Sequence, residues 1–442
     1  MRVPEAAGPG RHPRATRLRV RADRPRMPRG FHRLIVTQFL SSLADNALLI
    51  VAIALLQERG SAPWLAPLLK VGFIASYVVL APFVGALADT WPKARLMAWM
   101  NGTKLLGAAS MAFGLHPLVG FAVVGFGAAA YAPAKYGLLT EIVPAQRLVA
   151  ANGWIEVAAV GAVLLGAVLG GALVHETWLQ GAATRTAGML GTGFPLAVSV
   201  AVLVGLYGCS SALNAGLPSS GARYPATSFR PRALWRDHLD AQARLWRDPH
   251  GGVSLAATTV FWGVGATLQF IVLRWAEEAL DLPLSQAAML QGVVAVGVVA
   301  GASAAARWVS LSSAPVMLAF GIPLGLAMPV LTRLDGIAEG IVVLALAGAA
   351  GGALVVPLNA LLQHRGCQLL SAGRSIAVQG CNENASVLLM LGAYAALYAL
   401  GIPLPAVMLV LGLLLTASMF VLWLRGRRLM ADPEAARRVL QP

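Results

Sequence analysis

The feature that most constrains this chain is its long, uncharged apolar runs. The clearest is residues 402–424, which hold 23 residues without a single charge. A helix that crosses the hydrocarbon core of a bilayer needs about 20 mostly apolar residues. The runs are too long, and alternate too little, for barrel strands. With 57% hydrophobic and only 12% charged residues, the chain is predicted to be an all-α integral membrane protein.

The hydropathy pattern predicts twelve spanning helices in two groups of six. The predicted spans are residues 33–57, 65–88, 96–115, 118–140, 148–174, 188–212, 251–276, 286–309, 314–332, 338–362, 372–399 and 402–424. The corresponding regions are a basic arm (1–32), an N-terminal bundle (33–212), a linker (213–250), a C-terminal bundle (251–424) and a tail (425–442).

Basic residues are distributed unevenly between the predicted loops. With a cytoplasmic N-terminus, 27 of the 34 lysines and arginines fall on the cytoplasmic side and three on the other. Cytoplasmic loops are enriched in these residues, so both termini are predicted to be cytoplasmic. The net charge of +15 then reflects topology, and no nucleic-acid partner is expected. The arm before Met27 is expected to lie on anionic lipid; a translation start at Met27 is the alternative.

The linker contains one amphipathic helix. Its apolar residues are Leu234, Trp235, Leu239, Leu245 and Trp246. This pattern is typical of a helix that lies at the membrane surface. A linker helix without lipid contact is the alternative.

The two halves of the chain repeat each other. Gly127, Pro133, Lys135 and Glu156 correspond to Gly351, Pro357, Asn359 and Glu383. Parallel six-helix repeats around a central linker are the plan of the major facilitator superfamily. The sequence therefore predicts a twelve-helix major facilitator fold that works by alternating access.

Polar side chains interrupt several predicted spans. A charge at the centre of a spanning helix costs about 2.5–3.5 kcal/mol on insertion scales, so such residues predict a substrate or ion pathway. They are Asp45, Asn46, Lys104, Lys135, Glu383 and Asn384. Structural pairing is the alternative for Asp45 and Lys104, and snorkelling to the surface is the alternative for Lys135.

The loop between the second and third spans, residues 85–95 (GALADTWPKAR), resembles the gating loop of major facilitators. Asp89 is expected to pair with positive charge at a neighbouring helix end in the outward-facing state. Thr90 and Pro92 depart from the motif, and an ordinary polar turn is the alternative. Further gating or structural candidates are Lys93, Arg95, Arg147, Glu156 and Gln379.

Longer blocks carry a more specific resemblance. Residues 38–49 (QFLSSLADNALL), 101–110 (NGTKLLGAAS), 128–137 (AAAYAPAKYG) and 377–392 (AVQGCNENASVLLMLG) resemble the bacterial lysophospholipid transporter family. The resemblance extends over nearly the whole membrane domain. It implies import of lysophosphatidylethanolamine and related lysolipids from the outer to the inner leaflet of the bacterial inner membrane. A cytoplasmic acyltransferase/acyl-carrier-protein synthetase is then the expected downstream partner.

The resemblance also implies where the cargo binds. Spans 1, 4, 7 and 10 line the cavity in facilitator folds, and their polar residues are Asp45, Asn46, Lys135, Gln269, Arg274 and Asn359. We expect Lys135 to meet the phosphate and Asp45 to meet the ammonium or a coupling ion. In the family that the chain resembles, several relatives carry arginine at the position of Gln269. Arg274 lies about 140° past a full turn from it, so a different head-group preference is expected.

Catalytic and metal-binding signatures are missing from the sequence. HExxH, GxxxxGK[ST] and GxSxG do not occur, and the three cysteines have no CxxC spacing. We expect neither enzymatic activity nor a cofactor, while a sodium or proton coupling ion stays open. The alternative function is export of another amphipathic solute or drug by a facilitator.

Overall fold

The computed structural model describes residues 27–62, 64–189, 195–225 and 229–431, and these contain helices but no strand. The predicted basic arm before Met27 and the end of the tail lie outside the described residues. The helices of the N-terminal half are α1 (Phe31–Glu58), α2 (Leu65–Val79), α3 (Ala81–Thr90), α4 (Lys93–Ala112), α5 (Pro117–Ile142), α6 (Leu148–Val174), α7 (Glu176–Trp178), α8 (Thr184–Met189) and α9 (Pro195–Ala215).

The linker and the C-terminal half complete the helical order. Their helices are α10 (Pro231–Arg247), α11 (Pro249–Leu280), α12 (Leu284–Trp308), α13 (Gly321–Leu331), α14 (Ile337–Leu369), α15 (Ala372–Ala399) and α16 (Leu404–Ala431). A 3₁₀ segment, Leu311–Phe320, precedes α13 and contains Pro315. The last helix, α16, ends at Ala431. It therefore continues into the predicted tail, seven residues beyond the predicted end of the last span at residue 424.

Nine helical segments of the described chain are long and apolar enough to cross a membrane, and the pair α2 and α3 forms a tenth span bent by 62°. The two remaining long helices, α4 and α15, are too polar to meet the same criterion. They carry Lys104 and Glu383, two of the charges predicted to lie within spans. The twelve predicted spans thus correspond to ten apolar spans and two polar helices packed among them.

The bend between α2 and α3 has a local cause. Pro82 lies at the start of α3, where its ring lacks an N–H and clashes with the preceding turn. The carbonyl of Val78, four residues earlier, is left without its helical donor. The Cys381 thiol of α15 donates to it instead, at 3.9 Å.

The spanning helices form two bundles, and one hydrophobic core cluster contains buried residues of both, such as Leu138 and Val355. In the first, α1 packs against α6 and α9, and α4 packs against α5 and α9. In the second, α12 packs against α14, α11 against α15, and α13 against α16. Close approach needs small residues: a Cβ on Gly127 of α5 would lie 2.8 Å from the carbonyl oxygen of Met100 on α4.

The linker helix α10 packs beneath both bundles, against α3, α11 and α15. Its buried face consists of Leu234, His238, Ala241 and Leu245. The other apolar residues, Trp235, Leu239 and Trp246, are exposed. We call the end of the molecule that carries α10 the linker end.

Candidate substrate pathway and gate

The polar residues predicted within the spans lie at different depths. At 1.5 Å per helical residue, Lys135 lies about 10 Å from the linker end of α5 and Asp45 about 21 Å from that of α1. The structure divides these residues into two groups. One group lies inside the N-terminal bundle, and the other lies between the bundles.

Asp45 belongs to a cluster whose polar groups pair with one another. We call it the N-bundle charge cluster, and its members are Asp45, Lys104, Tyr207, Ser41 and Asn101. Lys104 Nζ lies 2.7 Å from Asp45 Oδ2, and the Tyr207 hydroxyl donates to Asp45 Oδ1 at 2.7 Å. The ammonium also donates to Ser41 Oγ at 3.0 Å. Lys104 is only 2% exposed, so the alternative of structural pairing is realised here.

Hydrogen bonds extend this cluster across three helices. The Ser41 hydroxyl donates to Asn101 Oδ1 at 2.7 Å, and Asn101 Nδ2 donates to Ser210 Oγ at 2.8 Å. Ser210 in turn donates to the carbonyl of Thr37 at 2.8 Å. Asn46, the neighbour of Asp45, donates to the Ser42 carbonyl of its own helix at 2.8 Å. Contact of Asp45 with cargo stays a prediction.

The second group surrounds a cavity of about 100 Å³ between the bundles. Most of its wall is apolar or aromatic, and both bundles contribute to it. The lining residues are Tyr77, Val84, Ala129, Ala132, Pro133, Tyr136, Trp262, Asn359, Ile376, Ala377, Gln379, Gly380, Glu383 and Asn384. Pro133, Asn359 and Glu383, each of which has a counterpart in the other half of the chain, thus line one cavity.

Hydrogen bonds within this cavity wall run along α15 and from α15 to α14. Gln379 Nε2 donates to Asn359 Oδ1 and to Glu383 Oε1, both at 2.9 Å. Asn384 donates to the Gly380 carbonyl at 2.8 Å. Gln379, expected to act in gating, therefore lies on the cavity wall.

Lys135 lies beside this cavity with its ammonium 4.0 Å from the ring centre of Tyr136. Among the described residues it has no carboxylate within ion-pair distance. The predicted gating residue Glu156 lies on α6 and is half-buried. Lys135 is itself buried, at 8% exposure.

Two polar atoms of the cavity residues have no hydrogen-bond partner within the described part of the chain. They are the amide oxygen of Gln379 and the indole nitrogen of Trp262. Buried polar groups are nearly always paired, and the hydroxyl of Tyr131 and the amide of Asn214 in the N-terminal bundle are further exceptions in the described chain. We call Lys135, Trp262, Asn359, Gln379 and Glu383 the interface cluster.

Gln269 and Arg274 are not brought to either cluster. Gln269 exchanges hydrogen bonds with Gln291 on α12, at 3.1 and 3.0 Å. Arg274, nearer the opposite end, pairs with Glu278 of its own helix and lies 4.4 Å from the ring centre of Tyr398. Their predicted contact with cargo would need a change of conformation.

Asp89 lies at the contact between α3 and the start of α15. Its carboxylate accepts the backbone N–H of Gly373 at 2.8 Å and the hydroxyl of Ser371. A carboxylate at a helix N-terminus is stabilised by the unpaired N–H groups and the helix dipole. Gly85 allows this approach, since a Cβ there would lie 2.9 Å from the Cβ of Ala377.

Two further groups of contacts lie at the linker end, one around Glu141 and one between Asn152 and Gln363. Lys93 Nζ lies 2.5 Å from Glu141 Oε1, and the Tyr224 hydroxyl of the linker donates to the same carboxylate at 2.7 Å. Asn152 on α6 and Gln363 on α14 exchange hydrogen bonds at 2.9 and 3.0 Å across the two bundles. Of the other predicted gating residues, Arg95 is exposed, and Arg147 ends the short turn before α6.

Several of these residues were missed by the sequence interpretation. Tyr207 and Trp262 resemble ordinary apolar side chains in a span, and only the fold places them beside a charge and a cavity. Asn152 and Gln363 did carry a signal, because amides within spans need a partner. No group of three or more His, Cys, Asp or Glu residues in the described chain is arranged to hold a metal.

Two bundles of parallel repeats, joined by a linker and enclosing a mostly apolar cavity with a few polar side chains, are the architecture of facilitator-type transporters. The sequence profile described as Major Facilitator Superfamily matches residues 34–378. The chain therefore belongs to the major facilitator superfamily, and the predicted fold class is confirmed. Among solved structures, it is similar to the FucP transporter in the outward conformation (TM-score 0.68, 17% identity, 93% of this chain and 99% of that one). It is also similar to a bacterial homologue of the iron transporter ferroportin in an outward-facing state (TM-score 0.65, 15% identity, 90% and 99%).

Curated relatives narrow the family further. The chain is 40% identical to the lysophospholipid transporter LplT of Yersinia enterocolitica over 86% of this chain and 90% of the relative. It is 39% identical to LplT of Shigella flexneri over 90% and 96%. The chain belongs to this lysophospholipid transporter family, which confirms the resemblance carried by the sequence blocks.

Proposed function

We propose that this protein moves lysophospholipids from the outer to the inner leaflet of the bacterial inner membrane by alternating access. The relatives that share about two fifths of its residues are named for lysophospholipid transport. The uneven distribution of arginine supports a cytoplasmic linker end and cytoplasmic termini. Re-acylation by a cytoplasmic acyltransferase/acyl-carrier-protein synthetase is the expected fate of the cargo.

The observation that carries this proposal is the mixed chemistry of the cavity between the bundles. A lysophospholipid has one acyl chain, a phosphate and, in many cases, an ammonium. Lys135 supplies a cation for the phosphate, and the Trp262 indole N–H supplies a free donor. Glu383 and the free Gln379 oxygen supply acceptors for the ammonium. The alanines and aromatic rings of the wall suit the chain.

The transport cycle follows from which end of the cavity is closed. Asp89, Asn152 and Gln363 hold the bundles together at the linker end, and the cavity of about 100 Å³ is too small for a whole lipid. Cargo would therefore enter from the opposite side, and the cavity would have to widen to hold it. Release to the inner leaflet then requires the contacts at the linker end to break, as rocking of the two repeats would do.

The proposal is tested by reconstituting the protein in liposomes and measuring movement of labelled lysophosphatidylethanolamine between leaflets. We expect protein-dependent movement that unlabelled lysolipid competes away. Imposed sodium and proton gradients determine whether either ion drives it. An absence of movement under every gradient would refute the proposal and favour a facilitator for another amphipathic solute. That alternative also follows if lysolipids fail to compete for a transported drug.

A further inference from the structure

A groove on the outer side of the C-terminal bundle carries an unusual concentration of arginine. It has a volume of about 360 Å³ and lies at the linker end, where α10 meets the start of α11 and the end of α16. Its lining includes Trp246, Arg247, Asp248, Leu422, Arg425 and Arg428.

The three arginines of the groove have no ion pair within the described chain. The one carboxylate that lines the groove, Asp248, is already occupied: Arg365 Nη2 lies 2.7 Å from it, and it accepts the N–H of Gly251 at 2.7 Å. The pKa of Asp248 is lowered overall: burial raises it, but the hydrogen bonds from Arg365 and Gly251 outweigh burial. Asp248 therefore stays ionised and paired. No carboxylate of the described chain therefore neutralises these three arginines.

The groove also has an apolar wall that a soluble anion would not use. Val253 and Ala256 of α11 and Leu422 of α16 form it, and the exposed indole of Trp246 lies at its edge. An apolar slot beneath a row of arginines at the membrane edge is the chemistry that recognises the head group and acyl chains of an acidic phospholipid.

The exposed face of α10 continues this surface. At 100° per residue, Trp235, Leu239 and Trp246 fall within about 40° of one another, and Arg232, Arg236 and Arg247 fall about 60° to 120° from Trp235. Apolar side chains beside a stripe of arginine are typical of a helix at the lipid interface.

This groove is separate from the transport cavity. Val253 in the groove and Trp262 in the cavity are nine residues apart on α11, a rotation of about 900°, so they lie on opposite sides of the helix. An occupant of the groove would thus not compete with cargo between the bundles.

We propose that an anionic diacyl phospholipid of the cytoplasmic leaflet binds this groove through Arg247, Arg425 and Arg428 and holds α10 in place. The helix in turn contacts α15, whose start forms the gate. Asp237 of α10 pairs with Arg374 at 3.4 Å, and Asn382 donates to Gln242 at 2.8 Å. Bound lipid therefore favours the state in which the linker end is closed.

The test uses the full-length protein purified in a neutral detergent and titrated with dioleoyl-phosphatidylglycerol, with thermal unfolding and native mass spectrometry as readouts. We expect a saturable rise in the unfolding temperature and a bound lipid. In the triple variant Arg247→Gln/Arg425→Gln/Arg428→Gln, at least tenfold more lipid is needed. Arg427→Gln is the matched control, because Arg427 stacks on Trp423 at 5.1 Å instead of lining the groove.

Controls keep the result interpretable if the triple variant folds poorly. Arg425→Gln and Arg428→Gln each change one exposed side chain, and each is expected to weaken lipid binding several-fold. An equal response of these variants and the wild type would overturn the proposal. Equal stabilisation by dioleoyl-phosphatidylcholine would remove the requirement for an anionic head group, and equal stabilisation by inorganic phosphate would reduce the groove to a free-anion site. Neither readout depends on transport, so a failure of the lysolipid assay would not affect this test.

Discussion

The N-bundle charge cluster and the interface cluster have similar chemistry but differ in how completely it is paired. Asp45 is matched by Lys104 and Tyr207, all within one bundle. Lys135 and the free atoms of Gln379 and Trp262 lie beside a cavity that both bundles line. A rigid bundle can satisfy its own buried groups permanently, whereas an interface that opens and closes cannot. We therefore expect the interface cluster, and not the N-bundle charge cluster, to meet a ligand.

The largest expected effect comes from breaking the pair in the N-bundle charge cluster. Lys104→Met leaves Asp45 as an uncompensated buried carboxylate, and removing one partner of such a pair typically costs about 3–5 kcal/mol. We expect a marked fall in the unfolding temperature in detergent. The double variant Asp45→Asn/Lys104→Met removes both charges and should recover most of the loss.

The same double variant also tests the role of the cluster in transport. If it is stable and still moves lysophosphatidylethanolamine, the cluster serves to hold the helices together. If it is stable and inactive, Asp45 or Lys104 belongs to the pathway, and the contrast between the two clusters fails.

Lys135→Ala should have the opposite effect, with little change in stability and a loss of transport. The side chain has no carboxylate partner among the described residues, so we expect little change in stability. Loss of a charged hydrogen bond to a phosphate, at about 1.5–3 kcal/mol, corresponds to roughly 10- to 150-fold weaker cargo interaction. Transport by the reconstituted protein measures it. Lys70→Ala, at an exposed position on α2, is the control and should behave like the wild type.

The sequence predicted these residues but not their division into two groups. Hydropathy and the internal repeat place Asp45, Lys104 and Lys135 within spans, and the depth of each follows from its position along a helix. Pairing depends on which helix faces which, and that is decided by close packing such as that of Gly127 against Met100. Gln269 and Arg274 illustrate the limit, because their helix lines the cavity while their own side chains contact other groups.

Trp262→Phe is expected to have a smaller effect, and only on function. The indole nitrogen has no partner in the described chain, so its removal should leave stability unchanged or slightly raised. If it donates to the head group, the variant loses one neutral hydrogen bond of about 1 kcal/mol, or about fivefold in cargo interaction. The apparent affinity for lysolipid in the transport assay measures this. A clear loss of stability would show that Trp262 is structural and weaken the case for the interface cluster.

Shortening one side chain at the linker end should shift the conformational equilibrium between the closed and open states. Asn152→Ala removes two hydrogen bonds to Gln363, and we expect up to about a 30-fold rise in the population that is open at the linker end, since each bond contributes about 1 kcal/mol. Cys367 provides the measurement, because its sulfur lies 3.5 Å from the Thr140 hydroxyl across the same interface. In a background with Cys381→Ser, alkylation of Cys367 should accelerate in Asn152→Ala while alkylation of the exposed Cys209 stays constant. Equal rates for Cys367 in both proteins would mean that the amide pair does not hold this end closed, and that Asp89 and the start of α15 carry the gate alone.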